Sequence, residues 1–166
     1  PGVIIQEFFG LNDQPRLNIR GSGIQSNPQR RGVYLLQDGI PVNFADGSYI
    51  IGVMDPMTAH FVEVFKGANA LNFGASTLGG AINFVSPTAN KQHGANIRIK
   101  AEGGSYGYRA VAASMGYRWQ TSDAHISTSY SAQDGHRLYN HNTRWSIAAN
   151  YGLQNPNGHV ENRTYL

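Results

Sequence analysis

The feature that most constrains this chain is a period-two alternation of apolar and polar residues that runs almost unbroken from residue 95 to residue 153. Only an extended strand turns successive side chains to opposite faces, so each run reads as a β-strand with two chemically distinct sides. Ala95, Ile97, Ile99 and Ala101 alternate with Asn96, Arg98, Lys100 and Glu102, and Val111, Ala113, Met115, Tyr117 and Trp119 with Ala110, Ala112, Ser114, Gly116 and Arg118. Ala124, Ile126, Thr128 and Tyr130 oppose His125, Ser127, Ser129 and Ser131. Trp145, Ile147, Ala149, Tyr151 and Leu153 oppose Arg144, Ser146, Ala148, Asn150 and Gly152. Each run is about 9 to 11 residues, the length that crosses a bilayer as a tilted strand. A soluble antiparallel sandwich with one wet face also alternates, and a secreted, lectin-like β-rich binding module is therefore the alternative. Two features favour the membrane. Tyr and Trp stand near the strand ends of the apolar faces, as an interfacial girdle requires, and the opposite faces carry many Ser, Ala, Gly and Asn, more than a solvated surface rich in Lys and Glu would.

Composition agrees. Charged residues are 14% of the chain, against about 25% in ordinary soluble proteins. No apolar run approaches the roughly 18 residues of a membrane helix. Aromatics at 11% and a net charge of +3 argue against disorder. The absence of Cys removes disulfide frameworks, thiol catalysis and zinc-thiolate sites. The 13 basic residues are scattered, Arg30-Arg31 being the only adjacent pair, so no basic stripe for nucleic acid exists. No convergent acid, base and nucleophile set points to an enzyme. Gly103-Gly104-Ser105-Tyr106-Gly107 has the hydrolase elbow string, but that elbow must lead into a helix and here a strand pattern follows. Residues 74–80 have phosphate-loop spacing, yet Ala81 and Ile82 follow where Lys and Ser or Thr are needed.

Aromatic type divides the chain near residue 90. All seven Phe lie before it, while both Trp and seven of the nine Tyr lie after it. Phe suits a water-excluding core, whereas Tyr and Trp suit surfaces apolar on one side and wet on the other. The polar, breaker-containing residues 86–94 mark the boundary, giving two domains, 1–90 and 91–166. In the first, residues 32–37 and 40–42 read as strands around a tight Asp38-Gly39 turn. Residues 61–65 and 81–85 read as further short strands, and residues 55–60 as one helical turn. In the second, residues 120–123 and 155–158 are short turns and residues 134–142 a longer polar loop, matching periplasmic turns and outer loops. Four strands and the start of a fifth cannot close a barrel, the smallest having about eight.

The order and wording of four segments carry a resemblance. They are Asn18-Ile19-Arg20-Gly21, then the run from Tyr34 through Asp38-Gly39 to Ile40-Pro41, then Val62-Glu63-Val64-Phe65-Lys66-Gly67, then the run from Asn72-Phe73-Gly74 through Gly79-Gly80 to Phe84. In this order they resemble the plug signatures of TonB-dependent outer-membrane receptors of the siderophore or ferric citrate type. The resemblance implies a mixed α+β plug, mostly short strands, followed by antiparallel transmembrane β-barrel strands, within a plugged 22-stranded barrel. It implies a bacterial outer-membrane location, outer-membrane lipid and TonB as partners, a ferric chelate as cargo, and no resident cofactor. The family's TonB-contacting box, its signal peptide and most of its strands are not found within these 166 residues, so the expectation is a fragment covering the plug and the first barrel strands.

The same resemblance assigns sites. Arg20 and Lys66 match two plug cations that lock plug to barrel wall, Lys66 standing where Arg is more usual; Lys lacks the bidentate fork that Arg offers a carboxylate. Three plug loops, residues 10–16, 21–32 and 43–49, face the cargo. The candidate contacts there are Arg16, Gln25, Asn27, Gln29, Arg30, Arg31, Asn43, Phe44 and Tyr49, the guanidinium groups suiting an anionic chelate and the two rings an apolar part. His136, His141 and Asp134 on the predicted outer loop read as polar loop residues without metal-ligand spacing.

Overall fold

The computed structural model of the protein describes residues 2–6, 15–22, 31–74, 79–89, 94–135, 140–155 and 157–165. It divides into two compact units, Pro1–Ser86 and Pro87–Leu166, the break falling four residues before the end of the first domain read from the sequence.

The first unit contains two small sheets. Strands β1 (Val3–Gln6) and β2 (Arg16–Ile19) form an antiparallel ribbon. Strands β3 (Val33–Gln37), β4 (Ile40–Pro41), β5 (Phe61–Lys66) and β6 (Gly80–Val85) form a sheet of order β4-β3-β6-β5, with β3 and β6 parallel at its centre. A parallel central pair is covered on both faces, which is why Tyr34-Leu35-Leu36 and Ala81-Ile82-Asn83-Phe84 read as continuous runs without alternation. Val33, Leu35, Ile82 and Phe84 pack on one side with Leu17, Ile19, Tyr49, Ile51 and Met54. Leu36 and Ala81 pack on the other with Ala70, Phe65 and Phe73. Leu17, Ile19, Val33, Leu35 and Leu36 are fully buried, each contributing about 2 kcal/mol of apolar burial.

The helical turn expected at residues 55–60 is instead a hydrogen-bonded turn. The Met57 amide donates to Asp55 Oδ1 at 2.9 Å and the Thr58 amide to the Asp55 carbonyl at 3.2 Å, because an Asp side chain competes for the amides that a helix would use. Single-turn 3₁₀ structure lies at Ile51–Val53, and a longer 3₁₀ stretch at Gly67–Phe73.

The second unit is one antiparallel meander: β7 (Gly94–Gly103), β8 (Arg109–Arg118), β9 (Ser122–Gln133), β10 (Asn142–Asn155) and β11 (Gly158–Tyr165), each paired with its neighbour in sequence. The register lines up the alternating faces. Ile97, Met115, Ile126 and Ala149 stand side by side, as do Ile99, Ala113, Thr128 and Ile147, and Ala101, Val111, Tyr130 and Trp145. This apolar face is open: Ile99 is 72% and Trp145 71% exposed, and Ile97, Met115, Trp119, Ile126, Tyr151, Leu153 and Val160 are exposed with them. On the opposite face small side chains stand beside Arg98, Lys100, Glu102, Arg118, His125 and Arg144, and Ala110, Ala112, Ser127, Ser129, Ser146 and Asn150 on it are buried. Paired aromatics mark both ends of the open face. Tyr117 and Trp119 meet edge to face at 4.7 Å at one end, and Tyr130 and Trp145 at 5.0 Å at the other. The distance from Trp119 to Val111 along β8 is about 26 Å of extended chain, enough once tilted to cover most of the roughly 25 Å apolar band of a membrane barrel. Among the described residues no helix is long and apolar enough to cross a membrane.

Candidate functional site

The best-defined candidate loop lies between β4 and the 3₁₀ turn at Ile51–Val53. Phe44 donates its amide to the Ser48 carbonyl at 2.8 Å, and Gly47, at φ +81°, donates to the Phe44 carbonyl at 2.9 Å. Asn43 braces this loop from within. Its Oδ1 accepts from the Leu35 amide at 2.7 Å, while Nδ2 donates to the Val33 carbonyl at 3.1 Å and the Gly47 carbonyl at 3.2 Å. Its amide is thereby committed to backbone, and it shapes the tip. Phe44 stands on that tip 55% exposed, whereas Tyr49 is 3% exposed in the core with its hydroxyl donating to the Leu17 carbonyl at 3.4 Å.

Arg31 reaches the same loop, its Nη2 3.2 Å from Asp46 Oδ2 with both side chains about half exposed. Asp46 also accepts from the Ser48 hydroxyl at 2.6 Å and the Ser48 amide at 3.0 Å. These bonds, from the Ser48 hydroxyl first, then its amide, then Arg31, hold the Asp46 carboxyl down to about 2. The loop thus presents an exposed ring beside a neutralised ion pair. The sequence reading missed Asp46 and Ser48, although Asp46-Gly47-Ser48 is a recognisable Asx-turn string. Gln25, Asn27, Gln29 and Arg30 lie outside the described residues, and of Arg16 only the backbone, in β2, is described.

The two cations assigned to a lock lie at one end of the first unit. Arg20 occupies a left-handed conformation, φ +51°, followed by Gly21 at +86°, and the Ser22 amide closes the turn on the Ile19 carbonyl at 3.0 Å. Asn18 supports it by accepting from the Gly21 amide at 2.8 Å. The Arg20 guanidinium lies across Gly67: a methyl there would sit 2.6 Å from Arg20 Nη1. Lys66 is the exposed last residue of β5, paired in register with Gly80. Arg20 and Lys66 are therefore neighbours through Gly67.

At the hairpin tip between β7 and β8, Tyr106 (φ +58°) and Gly107 (+69°) form a second left-handed pair, closed by the Tyr108 amide on the Ser105 carbonyl at 3.2 Å. The Asp134 amide donates to the Tyr106 carbonyl at 3.0 Å and its carboxylate lies where a Gly107 side chain would be. Asp134 Oδ1 is 3.3 Å from His141 Nδ1, both well exposed. His136 lies outside the described residues. Among the described residues no three His, Asp or Glu side chains gather as a metal set.

Comparison with known proteins gives a family match for the first unit and a likeness of fold for the whole chain. Residues 1–81 match the family model described as TonB-dependent Receptor Plug Domain. The whole chain superposes on larger solved structures. The siderophore receptor PirA from Acinetobacter baumannii matches with a TM-score of 0.73 at 14% identity, over 99% of this chain and 27% of that one. The FrpB iron transporter from Neisseria meningitidis (F5-1 variant) matches with a TM-score of 0.73 at 18% identity, over 99% and 27%. The copper transporter OprC matches with a TM-score of 0.73 at 16% identity, over 99% and 26%. At these identities the likeness is one of fold, and the chain spans about a quarter of the length of these structures.

Proposed function

We propose that the protein is an outer-membrane receptor that takes up a ferric chelate of the siderophore or ferric citrate type, with energy delivered through TonB; the match of residues 1–81 to the TonB-dependent receptor plug family supports this reading. The observation that carries this reading is the succession in one chain of a segment matching the plug family and a five-stranded antiparallel sheet, four of its strands of membrane length, whose apolar face is open and bounded by aromatic pairs. In this reading Ile97, Ile99, Met115, Ile126 and Trp145 meet lipid. Cargo is held on the plug loops, with Phe44 against its apolar part and Arg30 and Arg31 of the 21–32 loop toward its carboxylates or phenolates. Arg20 and Lys66 pair with carboxylates of the barrel wall. No bond of the cargo is made or broken, so the protein acts as a transporter and not as an enzyme.

Equilibrium binding to the protein expressed in full tests the cargo. The expected result is saturable binding of ferric citrate or a ferric siderophore and none of the iron-free ligand. Binding of copper ions in place of every ferric chelate would overturn the cargo class while leaving the receptor reading in place. The membrane reading is tested separately by quenching of Trp119 and Trp145 fluorescence with bilayer-embedded quenchers; a protein soluble without detergent and unaffected by the quenchers is the binding module of the alternative reading.

A further inference from the structure

The connection between the two units is gripped on both sides of one peptide bond, each time by a side chain of the unit to which the gripped residue belongs. On the near side is Ser86, buried, one residue beyond the end of β6. Its amide donates to Asp38 Oδ1 at 2.7 Å and its hydroxyl to Asp38 Oδ2 at 2.7 Å, while Gln37 Nε2 donates to the same hydroxyl oxygen at 3.1 Å. Asp38 is itself fixed: it occupies φ +54° in the β3–β4 turn, and its amide donates to the Phe84 carbonyl at 2.9 Å. The next turn residue, Gly39, donates to Asn83 Oδ1 at 2.9 Å, and Asn83 Nδ2 donates to Glu63 Oε2 on β5 at 2.8 Å. The end of β6 is thus wired to β3, β4 and β5 through polar groups.

On the far side is Pro87. Its carbonyl accepts from Asn150 Nδ2 at 2.6 Å, and Asn150 is buried on β10. The reversed amide would set two oxygens against each other, so the donor must face Pro87. Two residues on, Ala89 is buried against the place a side chain would take at Gly116, where an added methyl would meet the Ala89 methyl at 3.2 Å. Proline has no N–H to carry a ladder onward, and the residue before it is kept extended, so Ser86 needs a partner such as Asp38 for its amide.

We propose that Asp38 and Asn150 form an unfolding stop at Ser86–Pro87: each unit holds its own end of the connection, so loss of structure in one is not passed along the chain to the other. The paired bonds from one residue to both oxygens of one carboxyl suit this role, being placed where the strand ladder has ended. The stop goes beyond the uptake reading and does not depend on what the protein carries.

Hydrogen exchange followed by mass spectrometry on the protein expressed in full, in detergent, tests it by comparing peptides over β6 and β7. Asp38→Gly keeps the left-handed turn, which glycine adopts freely, and removes the carboxylate. Exchange over residues 80–86 is expected to rise roughly tenfold with β7 unchanged. Asn150→Ala is expected to give the converse, faster exchange at residues 88–89 with β6 unchanged. Ser86→Ala keeps the amide bond to Asp38, loses only the hydroxyl, and is expected to give a smaller rise over 80–86; it stands in should Asp38→Gly fail to fold. An equal rise in β6 and β7 from either clamp variant, or no rise from any of the three, overturns the proposal. Exchange needs no cargo, so this outcome is separable from failure of the uptake reading.

Discussion

Asn43 and Phe44 are adjacent, and both look like ligand contacts in the sequence, yet their side chains have different roles in the loop. Asn43 is held by three backbone partners, so Asn43→Ala leaves the Leu35 amide without its acceptor inside the unit. The expected cost is about 2 kcal/mol, read as the opening free energy of the Leu35 amide by hydrogen exchange. Phe44→Ala removes an exposed ring and should change stability by less than about 0.5 kcal/mol while weakening cargo binding roughly tenfold. No sequence rule separates these neighbours, because an amide's partners are chosen by a loop that closes only in three dimensions. Asp46 gives a pH test. Its carboxyl is held from the ordinary 3.8 down to about 2, so its bonds to Ser48 and Arg31 favour the folded loop above roughly pH 4 and are lost as pH falls through about 2. A carboxyl-carbon NMR titration should show that low midpoint, and Ser48→Ala should raise it; an ordinary midpoint in the unaltered protein would show that the bonds do not form in solution.

At the scale of elements, legibility followed length and period. Strands β7 to β10 were readable because alternation over about ten residues has no competing explanation at the backbone level, and β3 and β6 because apolar runs bounded by turn residues indicate buried strands. Strands β1 and β2 were not read as strands, four residues each being too short to establish a period. The Asp38-Gly39 turn was read correctly from its dipeptide, whereas Arg20 and Tyr106 adopt the same left-handed geometry with side chains that do not favour it, each helped by a following Gly. Glycine 80 shows what the central sheet tolerates. Its φ is +157°, and a methyl there would collide with the Phe65 carbonyl oxygen and press on Ile19 at 3.2 Å. Gly80→Ala should therefore cost about 2 kcal/mol, seen as a lower unfolding midpoint. On the open face, Ile126→Arg stands in the middle row between the two aromatic ends and should cost about 2–4 kcal/mol in vesicles. The same change at exposed Val160, near the end of the face, should cost less, and equal costs at the two sites would argue against a bilayer around this sheet.

For the molecule as a whole, the low charge and the two-sided strands go together: one face of the second unit's sheet is apolar, and on the other Ala110, Ala112, Ser127, Ser129, Ser146 and Asn150 take buried positions where ions would be costly. The sequence by itself determined the strands of the second unit, their faces and the plug resemblance, because period and motif order are properties of the chain read along its length. Only the tertiary structure decided that Arg20 lies against Gly67, that Tyr49 belongs to the core, that Asn43 braces its loop, and that Asp38 and Asn150 hold opposite ends of the Ser86–Pro87 bond. Apart from the local bond of Asn43 to Gly47, those facts join residues from 8 to 63 positions apart, and a hydrogen bond or a close approach over such separations exists only once the intervening chain has folded back to bring the two groups together.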